Sequence, residues 1–522
     1  MPTARAHWRW WCALSVALPL LLTAGCSGLP SLSGRSVSTA LLDTADTPLG
    51  RAVAPLAAAH PGQSGLYALR DGRDAFAARA VLANSAQRSL DVQYYIWHND
   101  ITGVLLINAL RAAADRGVRV RLLLDDNGTA GLDATLALLD AHPNIEVRLF
   151  NPFLIRRVRW LGYLTDFARL NRRMHNKSFT ADSQATIIGG RNIGDEYFGA
   201  ADDMLFSDLD VMAIGPAVKA VSNDFDRYWN SASSYPVSLI VAPPDQAGSD
   251  DVKRAASALE HTADARAYQV AMNKSTFVSE LVARKLPLEW ATTRLVSDDP
   301  AKALGRAAPD SRLIPQMKEL LGAPARELDV VSAYFVPGKA GTEALSALAR
   351  SGVAVRVLTN SLEATDVPAV HAGYAGWRKP LLAAGVKLFE MRSTWPEDEP
   401  PPRRRSSGSF GSSSSSLHAK TFAVDGERLF IGSFNLDPRS ARLNTEMGFV
   451  IDSPLLARQL ANQMNGRVLD RAYEVRLSPD GALYWIERKG GVAIRYDSEP
   501  RTGFWRKLEV RILSWLPIEW LL

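Results

Sequence analysis

The chain has 522 residues, 47% of them hydrophobic and 22% charged, which is the composition of a folded protein too long for one compact core. That balance excludes a mostly disordered chain and a polytopic membrane protein. The net charge of +5, from 60 Lys and Arg against 55 Asp and Glu, is too mild to mark a nucleic-acid binder. Cys12 and Cys26 are the only cysteines, so the body of the chain holds neither a disulfide framework nor a cysteine zinc site.

The N-terminus carries Arg5 and Arg9, no acid, and then an uncharged run from Trp10 to Leu22. That run is short for a bilayer span and suits the apolar stretch of a signal peptide. Thr23-Ala24-Gly25-Cys26 resembles a bacterial lipobox, which implies that residues 1–25 are a lipoprotein signal peptide and that Cys26 is acylated after cleavage. A plain signal peptide with an incidental cysteine and an uncleaved anchor are the alternatives. Cleavage removes Arg5, Arg9 and Cys12 and leaves 58 bases to 55 acids, a charge of +3. Ser27 after the cysteine implies a lipid-anchored, periplasm-facing protein of the bacterial envelope, on the outer rather than the inner membrane. Residues 26–63, rich in Ser, Ala, Gly and Pro, read as a flexible tether.

The texture then changes. Asp74–Ala86 reads as a helix, Leu90–Ile96 as a strand, Gly103–Arg116 as a helix ended by Gly117, and Val118–Leu124 as a strand. This alternation predicts an α/β fold with a parallel or mixed sheet and helical crossovers. The pattern returns. Leu328-Asp329-Val330-Val331 echoes Leu90-Asp91-Val92-Gln93, Val353–Leu358 echoes Val118–Leu123, and Val386–Phe389 echoes Ile145–Phe150. Two copies of one unit fit better than three unrelated domains, with residues 64–249 and 286–475 as the two domains, each a mixed sheet flanked by helices. Residues 250–285 form a helical connector. Residues 395–416, with Arg403-Arg404-Arg405 and then eight serines, form a flexible insertion, and residues 476–522 pack on the body or on a membrane.

Each copy ends in the same constellation. His175, Lys177 and Asp182 are followed by Gly189-Gly190-Arg191-Asn192; His418, Lys420 and Asp425 are followed at identical spacing by Gly432-Ser433-Phe434-Asn435. Chance produces one such pattern on the order of once in 10⁷ placements. On a strand, His and Lys two apart share a face. Gly-Gly or Gly-Ser lets backbone approach an anion, and the Asn adds an amide donor. Two facing copies place two histidines, two lysines and two asparagines around one phosphate, a phosphoryl-transfer site that needs no metal and no cofactor.

Both stretches resemble the HxKx4D signature of the phospholipase D superfamily, and Tyr94-Tyr95-Ile96-Trp97-His98-Asn99-Asp100 and Leu516-Pro517-Ile518-Glu519 resemble its bacterial cardiolipin synthase branch, the C-type members above all. The resemblance implies two pseudo-twofold-related phospholipase D-type domains with the active site on their shared face, and a two-step displacement on a phosphodiester through a phosphohistidine. It makes His175 the nucleophile and His418 the acid, with Lys177, Lys420, Asn192 and Asn435 holding the phosphoryl oxygens. Asp182 and Asp425 hold the motif rather than touch phosphate. Glu196 and Glu446, four and eleven residues after each Asn, orient an imidazole through its far nitrogen or are solvated surface acids.

The expected activity is a phosphatidyltransferase, a cardiolipin synthase acting on phosphatidylglycerol, with phosphatidylethanolamine as a candidate donor and a protein partner as in C-type relatives. A hydrolytic phospholipase D, a phosphodiesterase acting on nucleic acid and a non-catalytic lipid-binding scaffold are the alternatives. Nucleic acid is disfavoured by the near-neutral mature charge, and a scaffold by the intact second motif. Between Asn151 and Lys177 lie seven bases (Arg156, Arg157, Arg159, Arg169, Arg172, Arg173, Lys177) against Asp166, interleaved with aromatics. This composition suits either an anionic membrane surface or an amphipathic helix with a solvated basic face. Trp505, Trp515 and Trp520 are likewise read as facing the membrane or packed in the core.

Overall fold

Ser89–Ile96 is an unbroken buried run, the mark of a strand covered on both faces. A computed structural model describes residues 28–199, 208–273, 280, 285–393 and 417–522. The expected signal peptide, Cys26 and the 395–416 insertion lie outside the described residues. Eight strands form the first half: β1 (Ser64–Leu69), β2 (Ser89–Ile96), β3 (Arg119–Gly128), β4 (Ile145–Phe150), β5 (Ser178–Ala181), β6 (Ala185–Gly189), β7 (Asp210–Ile214) and β8 (Ser234–Pro236). They pair in the order β8-β4-β3-β2-β5-β6-β7-β1, with β2, β3 and β4 parallel and the other neighbours antiparallel.

The second half repeats this order. Its strands are β9 (Glu289–Ser297), β10 (Glu327–Ser332), β11 (Ala354–Asn360), β12 (Lys387–Met391), β13 (Lys420–Val424), β14 (Arg428–Gly432), β15 (Met447–Asp452) and β16 (Ala472–Leu477). They run β16-β12-β11-β10-β13-β14-β15-β9. Two further strands, β17 (Leu483–Lys489) and β18 (Val492–Tyr496), extend the sheet beyond β16. Residues 289–291 of β9 also pair with β1, so the halves share one mixed sheet flanked by helices.

Internal repetition reaches single side chains. Arg121 on β3 grips Asp91 on β2 at 2.7 and 2.8 Å, and Arg356 on β11 grips Asp329 on β10 in the same bidentate way. Parallel neighbours need helical crossovers, and the helices Gly72–Ser85 and Ile101–Asp115 start where Asp71 and Asp100 cap their first N–H groups. Each half has its own core, and a third core joins them. In that third core Ile188, Val211 and Ala213 of β6 and β7 pack with Ala423, Ile431 and Phe449 of β13, β14 and β15. Because this apolar seam joins the two halves, the chain segments at its edge face each other across them.

The flexible tether is corrected from Gly28 onward. Arg35 donates to the carbonyls of Asn230, Ser231 and Ser234, and Arg121 and Arg148 reach back to Ser38 and Ser36. Buried arginines of β3 and β4 therefore find acceptors in this segment, and Pro48–Ala58 continues it as a helix. The solvated basic face expected before His175 is corrected too. Arg156 and Arg159 meet Asp126 and Asp133, Arg169 meets Asp166, and Arg173 lies buried on Asp125 at 2.6 Å. Of the seven bases Arg157 alone is exposed.

Candidate active site

Each motif leads into a short hairpin, β5–β6 or β13–β14. Asp182 and Asp425 sit in its turn with φ of 51° and 56°, a left-handed conformation that Asp tolerates. The Asp182 carboxylate accepts from the N–H groups of Gln87, Arg88 and Ser89 at 2.8–3.2 Å, and Asp425 accepts from those of Ala325, Arg326 and Glu327. Both aspartates therefore fasten the hairpin to the start of β2 or β10 and lie away from the histidines. Against the rise that burial would give, these N–H groups hold the Asp425 carboxyl below its ordinary value.

The histidines precede the strands rather than lying on them. His175 is fixed by its own N–H, which donates to Thr445 O of the other half at 2.9 Å. Lys177 Nζ donates back to His175 O at 2.6 Å, and Lys420 Nζ does the same to His418 O. Both imidazoles are buried at the seam between the halves. His175 Nδ1 lies 2.8 Å from Glu446 Oε2, and His418 Nδ1 lies 2.8 Å from Asp208 Oδ2. The carboxylates are exchanged: the acid behind each histidine comes from the opposite half. With Nδ1 committed, each Nε2 is left to do chemistry.

Glu196 requires a correction. It lies 3.1 Å from Nδ1 of His98, and the residue behind His418 is Asp208. Strand register in the structure marks Asp208 as the counterpart of Glu446. Gly189 pairs with Asp210 as Gly432 pairs with Gly448, so Asp208 and Glu446 both stand two residues before equivalent positions. Counting from Asn192 and Asn435 hides this, because the two loops differ by five residues.

The glycines also serve a different purpose from the one expected. A Cβ on Gly432 would stand 2.3 Å from Met447 O, and one on Gly190 would stand 2.2 Å from Asp208 Oδ1. Close approach to the neighbouring strand and to the carboxylate, rather than to an anion, requires glycine there. At the position matching Gly190, Ser433 donates its hydroxyl to Glu446 Oε2. One dyad thus uses a short acid against glycine, and the other a long acid against serine. Asn192 Oδ1 accepts from Ile96 N at 3.1 Å and Asn435 Oδ1 from Tyr334 N at 3.4 Å, which commits each amide nitrogen to the other side. The Tyr95 ring meets His175 edge-on at 5.0 Å between centroids, and Tyr197 meets His418 in the same way at 5.3 Å.

Burial and the charges of Lys177 and Lys420 push His175 well below its ordinary value. Burial and Lys420 push His418 down to about 4, against the pull of Asp208. Burial pushes Lys177 down to about 7 and Lys420 down to about 8. The carboxylates diverge. Burial pushes Glu446 up to about 7, whereas Asp208, despite its burial, is held below the usual carboxylate range by His418, Arg191 and Lys420. This is a dehydrated cationic site in which an entering anion would restore proton affinity to every base around it. Among the described residues one group, His98, Asp100 and Glu196, brings three metal-ligand atoms within 4.8 Å of each other. Helix capping and the His98–Glu196 pair account for it, since Asp100 also accepts from Gly103 N and Asp195 N.

Comparison with known proteins gives the same picture of two matched halves. The family model described as "Cardiolipin synthase, PLD-like domain" matches residues 81–229 and 317–468. Cardiolipin synthase C of Escherichia coli (strain K12) is 52% identical over 474 residues, covering 91% of this chain and 99% of that one. A cardiolipin synthase of Listeria monocytogenes (serotype 4a, strain HCC23) is 26% identical over 436 residues, covering 81% and 73%. The crystal structure of phosphatidylserine synthase from Haemophilus influenzae Rd KW20 shares the fold, with a TM-score of 0.51 at 13% identity over 82% of this chain and 91% of that one. With both motif-bearing segments matched and a relative this similar over nearly its whole length, the chain belongs to the phospholipase D-like family of the cardiolipin synthase domain.

Proposed function

We propose that this chain is a phospholipase D-type phosphatidyltransferase, a cardiolipin synthase, with one active site shared by its two halves. The observation that carries this is the exchange of carboxylates: each motif histidine is completed by an acid of the other half. The 52% identity with a cardiolipin synthase supports the product class.

In the first step His175 Nε2 attacks phosphorus of a phosphatidyl donor. The bond from phosphorus to the head-group oxygen breaks, and that oxygen takes the proton of His418. In the second step a hydroxyl of phosphatidylglycerol gives its proton to His418 and attacks phosphorus. The nitrogen–phosphorus bond breaks, and cardiolipin leaves with His175 restored. Lys177, Lys420, Asn192 and Asn435 hold the oxygens on which charge builds. The different carboxylates support this division of labour. Asp208 remains an anion and favours a proton on His418, while Glu446, pushed up to about 7, offers His175 less, so that His175 meets phosphorus neutral.

No helix among the described residues is long and apolar enough to cross a membrane. Attachment is assigned to an acylated Cys26 after the lipobox-like run, with the enzyme facing the periplasm on the outer membrane, at a membrane surface that supplies its lipids, and with a protein partner as a candidate. Intact-mass measurement tests the anchor: an unmodified Cys26 on a cleaved chain contradicts it. The activity is tested with labelled phosphatidylglycerol, with and without phosphatidylethanolamine. Cardiolipin that is lost in both His175→Ala and His418→Ala supports the assignment. Phosphatidic acid as sole product makes the protein a hydrolase, and DNA cleavage without lipid turnover overturns the assignment.

A further inference from the structure

We infer that two segments far apart in sequence form one bilayer-seated rim on the His175 side of the active site. The first lies between β4 and the first motif, where Trp160, Leu164 and Phe167 are 63%, 74% and 43% exposed. The second is the C-terminal helix Phe504–Leu513 and the turn after it, where Trp505, Trp515 and Trp520 are 78%, 73% and 52% exposed. Soluble surfaces seldom leave so many large rings in water within two short stretches.

The segments are joined to each other and to the site. Phe167 meets Trp520 edge-on at 6.5 Å between centroids. Arg439, four residues after Asn435, donates to Leu521 O and to Asn171 Oδ1 at 2.8 Å each, and Asn171 lies four residues before His175. Tyr163, on the same short helix as Trp160 and Leu164, donates to Asn127 Oδ1 at 3.1 Å. Asn127 Nδ2 donates in turn to the Tyr95 hydroxyl at 3.2 Å, and the Tyr95 ring lies against His175. The helix that carries two of the exposed apolar side chains is therefore three contacts from the proposed nucleophile.

Charge and side-chain type fit a bilayer. Residues 154–172 and 504–522 hold eight bases and three acids. Setting Asp126 and Asp133 against Arg156 and Arg159 still leaves an excess of three bases, which suits anionic head groups. Tryptophan, with an apolar body and a polar N–H, is the residue of a lipid–water boundary, and here it stands singly on separate short elements rather than in one flat apolar face for a second protein copy. Seating this rim would bring the acyl chains of a donor lipid to the His175 side and its phosphate to the seam.

The choice of a bilayer rests on the lipid substrates proposed above, so the experiment separates the two claims. The full chain is compared with a variant carrying Trp160→Ala, Leu164→Ala, Trp505→Ala and Trp515→Ala. Each is assayed on phosphatidylglycerol vesicles and on short-chain phosphatidylglycerol dispersed below its micelle concentration, and tryptophan quenching by brominated-chain vesicles is recorded. The rim predicts quenching in the unaltered chain that falls in the variant. It also predicts a loss of at least about tenfold in turnover on vesicles, with turnover of the dispersed lipid unchanged within about twofold. Equal turnover on vesicles, or no quenching of the unaltered chain, overturns the rim, as does a lipid-free dimer that only the variant loses. Quenching with no turnover of either lipid overturns the proposed reaction and leaves the rim standing.

Discussion

The two halves share strand order, register and motif, yet the carboxylates behind their histidines differ in length, in neighbour and in electrostatics. Asp208 packs against Gly190 and stays an anion, while Glu446 takes a hydroxyl from Ser433 and is pushed up to about 7. A duplicated fold supplies two identical bases, but two-step transfer needs one histidine neutral and the other protonated. Exchanging unlike acids across the seam sets the two apart without altering either motif.

The sharpest break between the two histidines comes from deleting each. His175→Ala and His418→Ala each cost about 10³-fold or more in transfer from natural lipids. With a nitrophenyl leaving group, which needs no acid, His418→Ala recovers the first-turnover release of nitrophenol and His175→Ala does not. Equal recovery in both would place acid and nucleophile on the same footing. Next come the cations: Lys177→Met and Lys420→Met each lose about 10²–10³-fold in turnover. Asp208→Asn and Glu446→Gln lose about 10²-fold through misplaced imidazoles. Asp208→Asn is expected to suffer more with poor leaving groups, and single-turnover kinetics on paired donors checks the order.

A smaller effect is read in pH. In the free site Lys177 and Lys420 are pushed down to about 7 and about 8, so they lose charge as pH rises through that range. Capture of the anionic lipid therefore weakens between pH 7 and 9, read as a rise in KM, while kcat changes less because bound phosphate returns the protons. Lys420→Arg, which stays charged, shifts that rise to higher pH. Last, Asp182→Ala leaves three N–H groups without their acceptor and lowers stability by about 2–4 kcal/mol in denaturant titration, with little change in turnover per folded molecule.

The repeat was legible because its signals are local: His, Lys, Asp, Gly and Asn at fixed offsets, and strands such as β2 and β4 that read as buried runs. Glu446 was within reach for the same reason. Asp208 was not, since the loop between Asn192 and β7 is longer than its counterpart, and only strand register aligns the two acids. The bases before His175 read as a solvated face because their partners, Asp125, Asp126 and Asp133, lie 23–48 residues earlier in the chain. Residues 26–63 read as a tether because their composition does not show that Arg35, Ser36 and Ser38 satisfy buried groups of the first half.

The most direct test is to trap the covalent intermediate. His418→Ala is supplied with a nitrophenyl phosphodiester of a diacylglycerol, quenched in alkali to preserve phosphohistidine, digested and sequenced by mass spectrometry. The division of roles predicts the phosphatidyl adduct on His175, absent from the His175→Ala, His418→Ala double variant. An adduct on any other residue, or product formed with none, contradicts it.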